Sequence, residues 1–195
     1  MSKSGRNIFV VTGPSGVGKG TVLKKVLERD DRLTFSVSAT TRKPRPGEEE
    51  GVDYFFIDKE AFNKMIQEGK FLEWAQVHGN FYGTPVDFVE GKLQEGFDVI
   101  LDIDVQGALQ VMERRPGSIF IFIAPPDMNP EVLRARLINR NTERPGDLEL
   151  RINNASEEMK FAGRFNYIVF NNVVDEAVLD IEAIIRAERL KVLKT

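Results

Sequence analysis

The sequence predicts an α/β fold, a mostly parallel sheet flanked by helices. Three observations predict it. Five apolar runs, Asn7–Thr12, Leu33–Val37, Val99–Ile103, Ser118–Ile123 and Tyr167–Phe170, are mostly continuous rather than alternating. Strands covered on both faces read this way. Helical patterns fall between these runs, and strands that alternate with helices build parallel sheets. A glycine-rich stretch joins the first run to the first helix, and ligands of such sheets sit at the carboxyl ends of the strands.

Taken in order, helix Gly18–Arg29 follows the glycine-rich stretch and Val105–Glu113 follows the third run. Asn129–Arg140 and Asp147–Phe161 follow the fourth. Val174–Lys191 ends the series, with Val178, Ile181, Ile184 and Ile185 on one helical face. Two segments interrupt the alternation. Between Thr40 and Gly96 lie a Pro/Arg-rich loop and short aromatic strands at Asp53–Ile57, Phe71–Val77 and Asn80–Tyr82. Helices Lys59–Gln67 and Val86–Gln94 accompany them, and the alternation of the strand pieces suggests a small antiparallel lobe. The second segment, Pro125 to about Glu157, is helical and holds Arg134, Arg136, Arg140, Arg144 and Arg151. An inserted lobe and a basic flap around one phosphate loop suggest a two-substrate site that closes.

Composition removes several classes of function. The 195 residues suffice for one well-buried core with small inserted lobes. A formal net charge of −3 gives no reason to expect bulk binding to nucleic acid. No cysteine is present, so disulfides, thiolate metal sites and cysteine nucleophiles are excluded together. No apolar run approaches the roughly 20 residues that span a bilayer, and Met1–Asn7 has no signal-peptide core behind it. The expectation is a cytoplasmic protein with no membrane partner. His78 is the only histidine, and it reads as a loop or turn residue because no nucleophile elbow accompanies it.

The stretch Gly13-Pro14-Ser15-Gly16-Val17-Gly18-Lys19-Gly20-Thr21 has the spacing of a phosphate-binding loop between a strand and a helix. Its glycines let successive backbone N–H groups face one anion, and the helix points its positive end at the same place. Lys19 reaches the outer phosphates as a point charge. The position after the lysine, where a hydroxyl usually meets magnesium, is Gly20, and Thr21 follows one residue late.

Arg42 and Arg45 lie in a stretch that Pro44 and Pro46 keep out of helix. They read either as an anion clamp of guanidinium forks or as a solvated basic loop. Glu73 and Trp74, with Phe81-Tyr82-Gly83-Thr84, read either as a base pocket or as the lobe's aromatic core. A carboxylate such as Glu73 accepts from the N1–H and exocyclic amine of guanine, a pair that adenine lacks on that edge. Asp102 and Asp104 end the third apolar run. They can orient magnesium through water or hold a ribose or guanine amine, and Asp104 also suits the cap of the helix after it. Arg136 and Arg140 share a helix face at a spacing of four, with Arg151 eleven residues on. They face either one anionic point or solvent, with Glu131, Glu149 and Glu157 as partners.

The run from Thr40 to Phe56, Thr-Thr-Arg-Lys-Pro-Arg-Pro-Gly-Glu-Glu-Glu-Gly-Val-Asp-Tyr-Phe-Phe, resembles the signature of guanylate kinases. The resemblance runs from Asn7 to about Leu190 and includes Gly13–Thr21, Glu73-Trp74, Asn80–Thr84, Leu101–Gly107 and Asn171-Asn172. It implies a P-loop kinase core at residues 6–33, 97–125 and 158–190, an inserted mixed α/β GMP-binding lobe at 34–96, and a helical lid at 126–157. It implies transfer of the γ-phosphate of ATP to GMP, and to dGMP, with Mg2+ as cofactor and a monomer or homodimer as the working form. By motif, Gly13 to Thr21 and Asn171 would hold ATP. Ser38, Arg42, Arg45 and Tyr54 would hold the GMP phosphate, Glu73, Thr84 and Asp104 would read guanine, and Tyr82 would contact the phosphate or base region. Lys19, Arg42, Arg136, Arg140 and Arg151 would surround the transferring group. Thr21 and, through water, Asp102 would meet the metal.

Two departures from the family pattern stand out. Gly20 replaces the usual Ser or Thr, although a Gly-Lys-Gly-Thr form also occurs in nucleoside-monophosphate kinases. Asn141 stands where the family usually has Gly, and Arg144-Pro145-Gly146 follows it. These features bear on lid geometry and metal ligation rather than on the reaction. Two other readings remain beside the kinase. Catalytically inactive guanylate-kinase-like modules bind proteins, but typically lose the loop lysine or the lid arginines, which this chain keeps. A kinase for another monophosphate is disfavoured by Glu73 and Thr84, since a wrong base leaves buried polar groups unpaired.

Overall fold

The computed structural model describes residues 6–77, 79–139 and 145–192. Its principal sheet has five strands: β1 Ile8–Thr12, β2 Leu33–Phe35, β7 Asp98–Asp102, β8 Ile119–Ala124 and β9 Tyr167–Phe170. Their spatial order is β2-β7-β1-β8-β9. β2 pairs with β7 and β8 pairs with β9, both parallel. The expected strand positions hold to within two residues, because each is an apolar run bounded by turn residues. The expectation of cover on both faces holds for β1 and β8, every residue of which is buried. It does not hold for β9, where Ile168 and Phe170 are exposed. β9 is an edge strand of the sheet, so a continuous apolar run there does not imply two covered faces.

The chain forms two compact units. Among the described residues, the first contains 6–7, 11–31, 119–139 and 145–192, and the second contains 8–10, 32–77 and 79–118. In the first, α1 Lys19–Arg29 buries Val22, Leu23 and Val26. α7 Val174–Leu190 buries Ala177, Val178, Ile181 and Ile185. The two helices are joined at the surface by Lys25 and Asp175 at 2.7 Å and by Arg29 and Glu182 at 3.6 Å. Such exposed pairs contribute little, about 0–1 kcal/mol each, so the apolar faces hold the helices in place. The basic flap is two helices, α5 Pro130–Asn139 and α6 Pro145–Met159. Arg134 on α5 reaches Glu149 on α6 at 2.9 Å.

In the second unit a four-stranded sheet runs in the order β4-β3-β6-β5, formed by β3 Ser38–Thr40, β4 Tyr54–Phe56, β5 Phe71–Val77 and β6 Asn80–Pro85. The expected all-antiparallel lobe is corrected here. β3 pairs antiparallel with β6, but parallel with β4. The short polar stretch of β3 has no strand-like pattern, which is why the sequence concealed it. α2 Lys59–Gln67 covers this sheet through Phe62, which stacks on Phe71 at 4.4 Å and on Phe81 at 5.4 Å. Trp74 and Phe81 pack against this same cluster. Trp74 and Phe81 thus belong to the lobe's core, and Tyr82 is not part of this cluster. α3 Val86–Glu95 and α4 Val105–Arg114 complete the unit. Gln110 of α4 both donates to the Trp74 carbonyl at 2.9 Å and accepts from its N–H at 3.2 Å, fixing β5 to the helix. No helix among the described residues is long and apolar enough to cross a membrane.

Candidate functional site

The loop between β1 and α1 surrounds an open cavity of about 460 Å³, lined by Gly13–Thr21. Two glycines explain how the chain takes this path. Gly18, the N-cap of α1, has φ of 92°, a left-handed conformation that a side chain resists. A Cβ there would also come within 2.7 Å of the Asn171 side-chain nitrogen. Gly13 is needed for closeness rather than for φ, because a Cβ at that position would collide with the carbonyl oxygen of Ile123 on β8. The α1 N-cap has no side-chain hydrogen bond, so its first N–H groups lack that partner. A helix N-terminus in that state attracts an anion. Lys19 is the first residue of α1 and is half-buried, while Gly20 and Thr21 are exposed.

The underside of the loop is braced by two groups from the flap and the sheet edge. Asn171 is buried, and its Nδ2 donates to the Val17 carbonyl at 2.7 Å. Arg136 of α5 donates to the same carbonyl at 3.0 Å and to the Asn171 carbonyl at 2.8 Å. Asn171 is the residue expected at ATP and Arg136 one expected at the transferring group; here both Arg136 Nη atoms donate to backbone carbonyls of the loop and of Asn171. Arg151 lies exposed on α6. Arg140, Asn141 and Arg144, and the lone histidine His78, lie outside the described residues.

In the second unit, Arg42 is held by Glu48, by the Lys43 carbonyl and by two aromatic rings. Its Nη1 donates to Glu48 at 2.9 Å and to the Lys43 carbonyl at 2.8 Å, and its Nη2 donates to Glu48 at 2.8 Å. The Tyr54 and Phe56 rings lie 5.4 and 5.9 Å from its guanidinium carbon. The Glu48 hydrogen bond chiefly, and Tyr82 to a lesser degree, raise the guanidinium pKa above its usual value. Tyr54 and Tyr82 meet edge to face at 6.0 Å. Ser38, at the start of β3, is half-buried and Arg45 is exposed. Arg42 is therefore not a solvated loop residue, whereas the Arg45 side chain is exposed.

A β-bulge between Phe71 and Glu73 sets Glu73 opposite Thr84. The Thr84 hydroxyl donates to Glu73 Oε1 at 2.6 Å, and both residues are buried. Burial, opposed by the Thr84 hydrogen bond, raises the Glu73 carboxyl to about 7, with the charge of Asp104 adding to the rise. Arg114 lowers it only slightly. Arg114 also donates through Nη1 to the Phe71 carbonyl at 2.6 Å. Asp104 caps α4 by accepting from Gly107 N–H at 2.7 Å. The cap occupies one of its two oxygens, so capping leaves the other for a ligand. Asp102 ends β7 and is exposed.

A sequence model of guanylate kinases matches residues 5–188. The chain belongs to the guanylate kinase family. It is 49% identical to a guanylate kinase of Thermotoga maritima over 96% of this chain and 89% of that one. Identity to a guanylate kinase of Clostridium perfringens is 50%, covering 95% and 85% of the two chains. The crystal structure of guanylate kinase from Anaplasma phagocytophilum superposes with a TM-score of 0.75 at 36% identity, covering 97% of this chain and 89% of that one.

Within this guanylate kinase fold, two residues of the Arg42 cluster, Glu48 and Phe56, have no role in the sequence reading. Glu48 stands in the quoted signature without a role, yet it takes one end of the guanidinium. A Glu six residues after an Arg across two prolines is the only signal that could have suggested it.

Proposed function

We propose that the protein catalyses ATP-dependent phosphorylation of GMP and dGMP to the corresponding diphosphates. The observation that carries the base assignment is Glu73, a buried carboxylate hydrogen-bonded to Thr84. Its two acceptor oxygens match the N1–H and exocyclic N–H of guanine. They leave the Watson–Crick edge of adenine with an acceptor facing an acceptor. Asp104 is assigned to the same base. Ser38, Arg42, Arg45, Tyr54 and Tyr82 are assigned to the acceptor phosphate, and Gly13–Thr21 with Asn171 to ATP. Residues 34–96 are the GMP-binding lobe and 126–157 the lid.

The transfer itself needs little covalent help. An oxygen of the GMP phosphate attacks the γ-phosphorus in line, and the bond to the β–γ bridging oxygen breaks to release ADP. The acceptor phosphate is largely ionised near neutral pH, so no general base is required. Catalysis is therefore positioning and charge neutralisation. Lys19, Arg42, Arg140 and Arg151 are assigned to the charge on the transferring group. Arg136, with donors on Val17 and Asn171, is assigned to the shape of the loop.

Magnesium fits this donor set in one way. The exposed Thr21 hydroxyl in the first turn of α1 offers one oxygen, and Gly20 offers none. Among the described residues no cluster of three or more His, Cys, Asp or Glu could hold a metal ion. The ion would be held by nucleotide oxygens and water, with Thr21 and, through water, Asp102 as the contribution of the chain. When bound it neutralises phosphate charge. An ADP-release assay comparing GMP, dGMP, AMP, UMP and CMP tests the reading. Turnover with GMP and dGMP alone is expected. Equal turnover with AMP would overturn the base assignment, and no turnover with any acceptor would overturn the kinase assignment.

A further inference from the structure

We propose that Glu48 is a positioning residue for the acceptor phosphate: it occupies the end of the Arg42 guanidinium and leaves the side edge as the phosphate fork. The inference rests on the reading of Arg42 as an acceptor-phosphate ligand. A guanidinium carries five N–H bonds. Both bonds of Nη1 are taken, one by the Lys43 carbonyl and one by Glu48 Oε2. One bond of Nη2 is taken by Glu48 Oε1. The second N–H of Nη2 and the N–H of Nε are taken by neither of these, and they lie parallel on one edge of the plane; the other side chain that hydrogen-bonds this guanidinium is Tyr82, itself assigned to the same phosphate. That pair of N–H bonds is itself a bidentate fork with the spacing of two phosphate oxygens. Glu48 thus does not block the arginine. It selects which of the two forks meets the ligand.

The rest of the cluster supports this division. The aromatic rings of Tyr54 and Phe56 flank the guanidinium, which limits its tilt. Glu48 is fixed independently of Arg42. Its Oε2 accepts from Arg45 N–H at 2.7 Å, and its own N–H donates to the Arg45 carbonyl at 3.1 Å. The side chains of Arg42 and Glu48 are only 14% and 19% exposed, unlike the solvated pairs that contribute nothing measurable. Arg42 first, then the Arg45 N–H, hold the Glu48 carboxyl down to about 2, so it is an anion across the working pH range. A free arginine would have to surrender its rotamer freedom on binding phosphate, whereas this one has lost it in advance. Against this stands one repulsion, between Glu48 and the phosphate dianion. The two forks open on different edges of the planar guanidinium, so the two anions do not compete for the same N–H bonds.

The test compares GMP with guanosine, which lacks the phosphate, by equilibrium titration of the wild type and of Glu48→Gln and Glu48→Asp. In Glu48→Gln one acceptor oxygen becomes a donor facing an Arg42 donor, so the end of the guanidinium is released. GMP affinity is expected to fall at least tenfold while guanosine affinity stays within twofold. KM for GMP should rise by a like factor with KM for ATP unmoved, and Glu48→Asp should recover part of the loss. Unchanged or tighter GMP binding by Glu48→Gln would overturn the proposal, because Glu48 would then be a spectator or a competitor. Equal loss for GMP and guanosine would also overturn it, by showing that the loop as a whole had shifted. Wild-type protein that binds guanosine no less tightly than GMP would instead overturn the acceptor-phosphate reading beneath it.

Discussion

Lys19 and Glu73 carry the sharpest expectations at the scale of single residues. Lys19→Ala should reduce turnover by roughly 10²–10³, the scale of losing one preorganised charge contact in the transition state. Its GMP affinity should stay within twofold, measured by titration without ATP, since Lys19 belongs to the loop unit and the acceptor residues to the other. Glu73→Gln replaces one acceptor by a donor opposite guanine. It should cost about 2–3 kcal/mol, roughly 30–150-fold in GMP affinity. The raised carboxyl also sets a pH dependence. With guanine assigned to the Glu73 carboxylate, GMP affinity should weaken as pH falls below about 7, by up to tenfold per pH unit. Stability of the ligand-free protein runs the other way. Folded Glu73 binds its proton more tightly than unfolded Glu73, so this contribution is present below the ordinary carboxylate range and is lost as pH rises toward 7. Glu73→Gln should flatten both profiles, and a wild-type GMP titration that is flat between pH 6 and 8 would contradict the account.

The elements show what was legible in the sequence and what was not. α2 spans Lys59–Gln67 and β5 spans Phe71–Val77 as read from pattern alone, and Asp104 caps α4 as expected. Periodicity and caps are local, so neighbouring residues suffice to reveal them. β3 was missed because Ser38-Ala39-Thr40 has no apolar alternation, and its strand state comes from pairing with β4 and β6. The site divides along the same line. The phosphate loop is contiguous and was readable. The turn of Arg136 onto Val17, and the grip of Glu48 on Arg42, depend on where distant carbonyls and carboxylates arrive. The loop–helix junction gives the test at this scale. Gly18→Ala must hold a left-handed φ, about 1–2 kcal/mol, and displace Asn171 from its contact. Lower melting temperature and weaker ATP binding are expected, with GMP affinity unchanged. Coupled loss of GMP affinity would show that the loop and the acceptor lobe are not energetically separate.

Across the whole molecule, the two ligands are expected to stabilise different parts of the chain. Gly13–Thr21, Arg136 and Asn171 belong to one compact unit, while Ser38–Phe56, Glu73, Thr84 and Asp104 belong to the other. A ligand that binds only the native state adds RT ln(1 + [L]/Kd), about 2.7 kcal/mol at one hundred times Kd. That energy protects first the backbone whose opening would destroy the site. Hydrogen exchange with GMP alone should therefore slow amides in β3, β5, β6 and the start of α4. A non-hydrolysable ATP analogue alone should slow amides of the loop, the first turn of α1 and the backbone at Val17 and Asn171, which Arg136 and Asn171 join by hydrogen bonds. Protection by GMP that spread equally over both sets would mean that the units open as one, and that the acceptor reports on the donor loop through the fold. Protection confined to the loop would instead place GMP on the wrong unit and remove the basis for assigning guanine to Glu73.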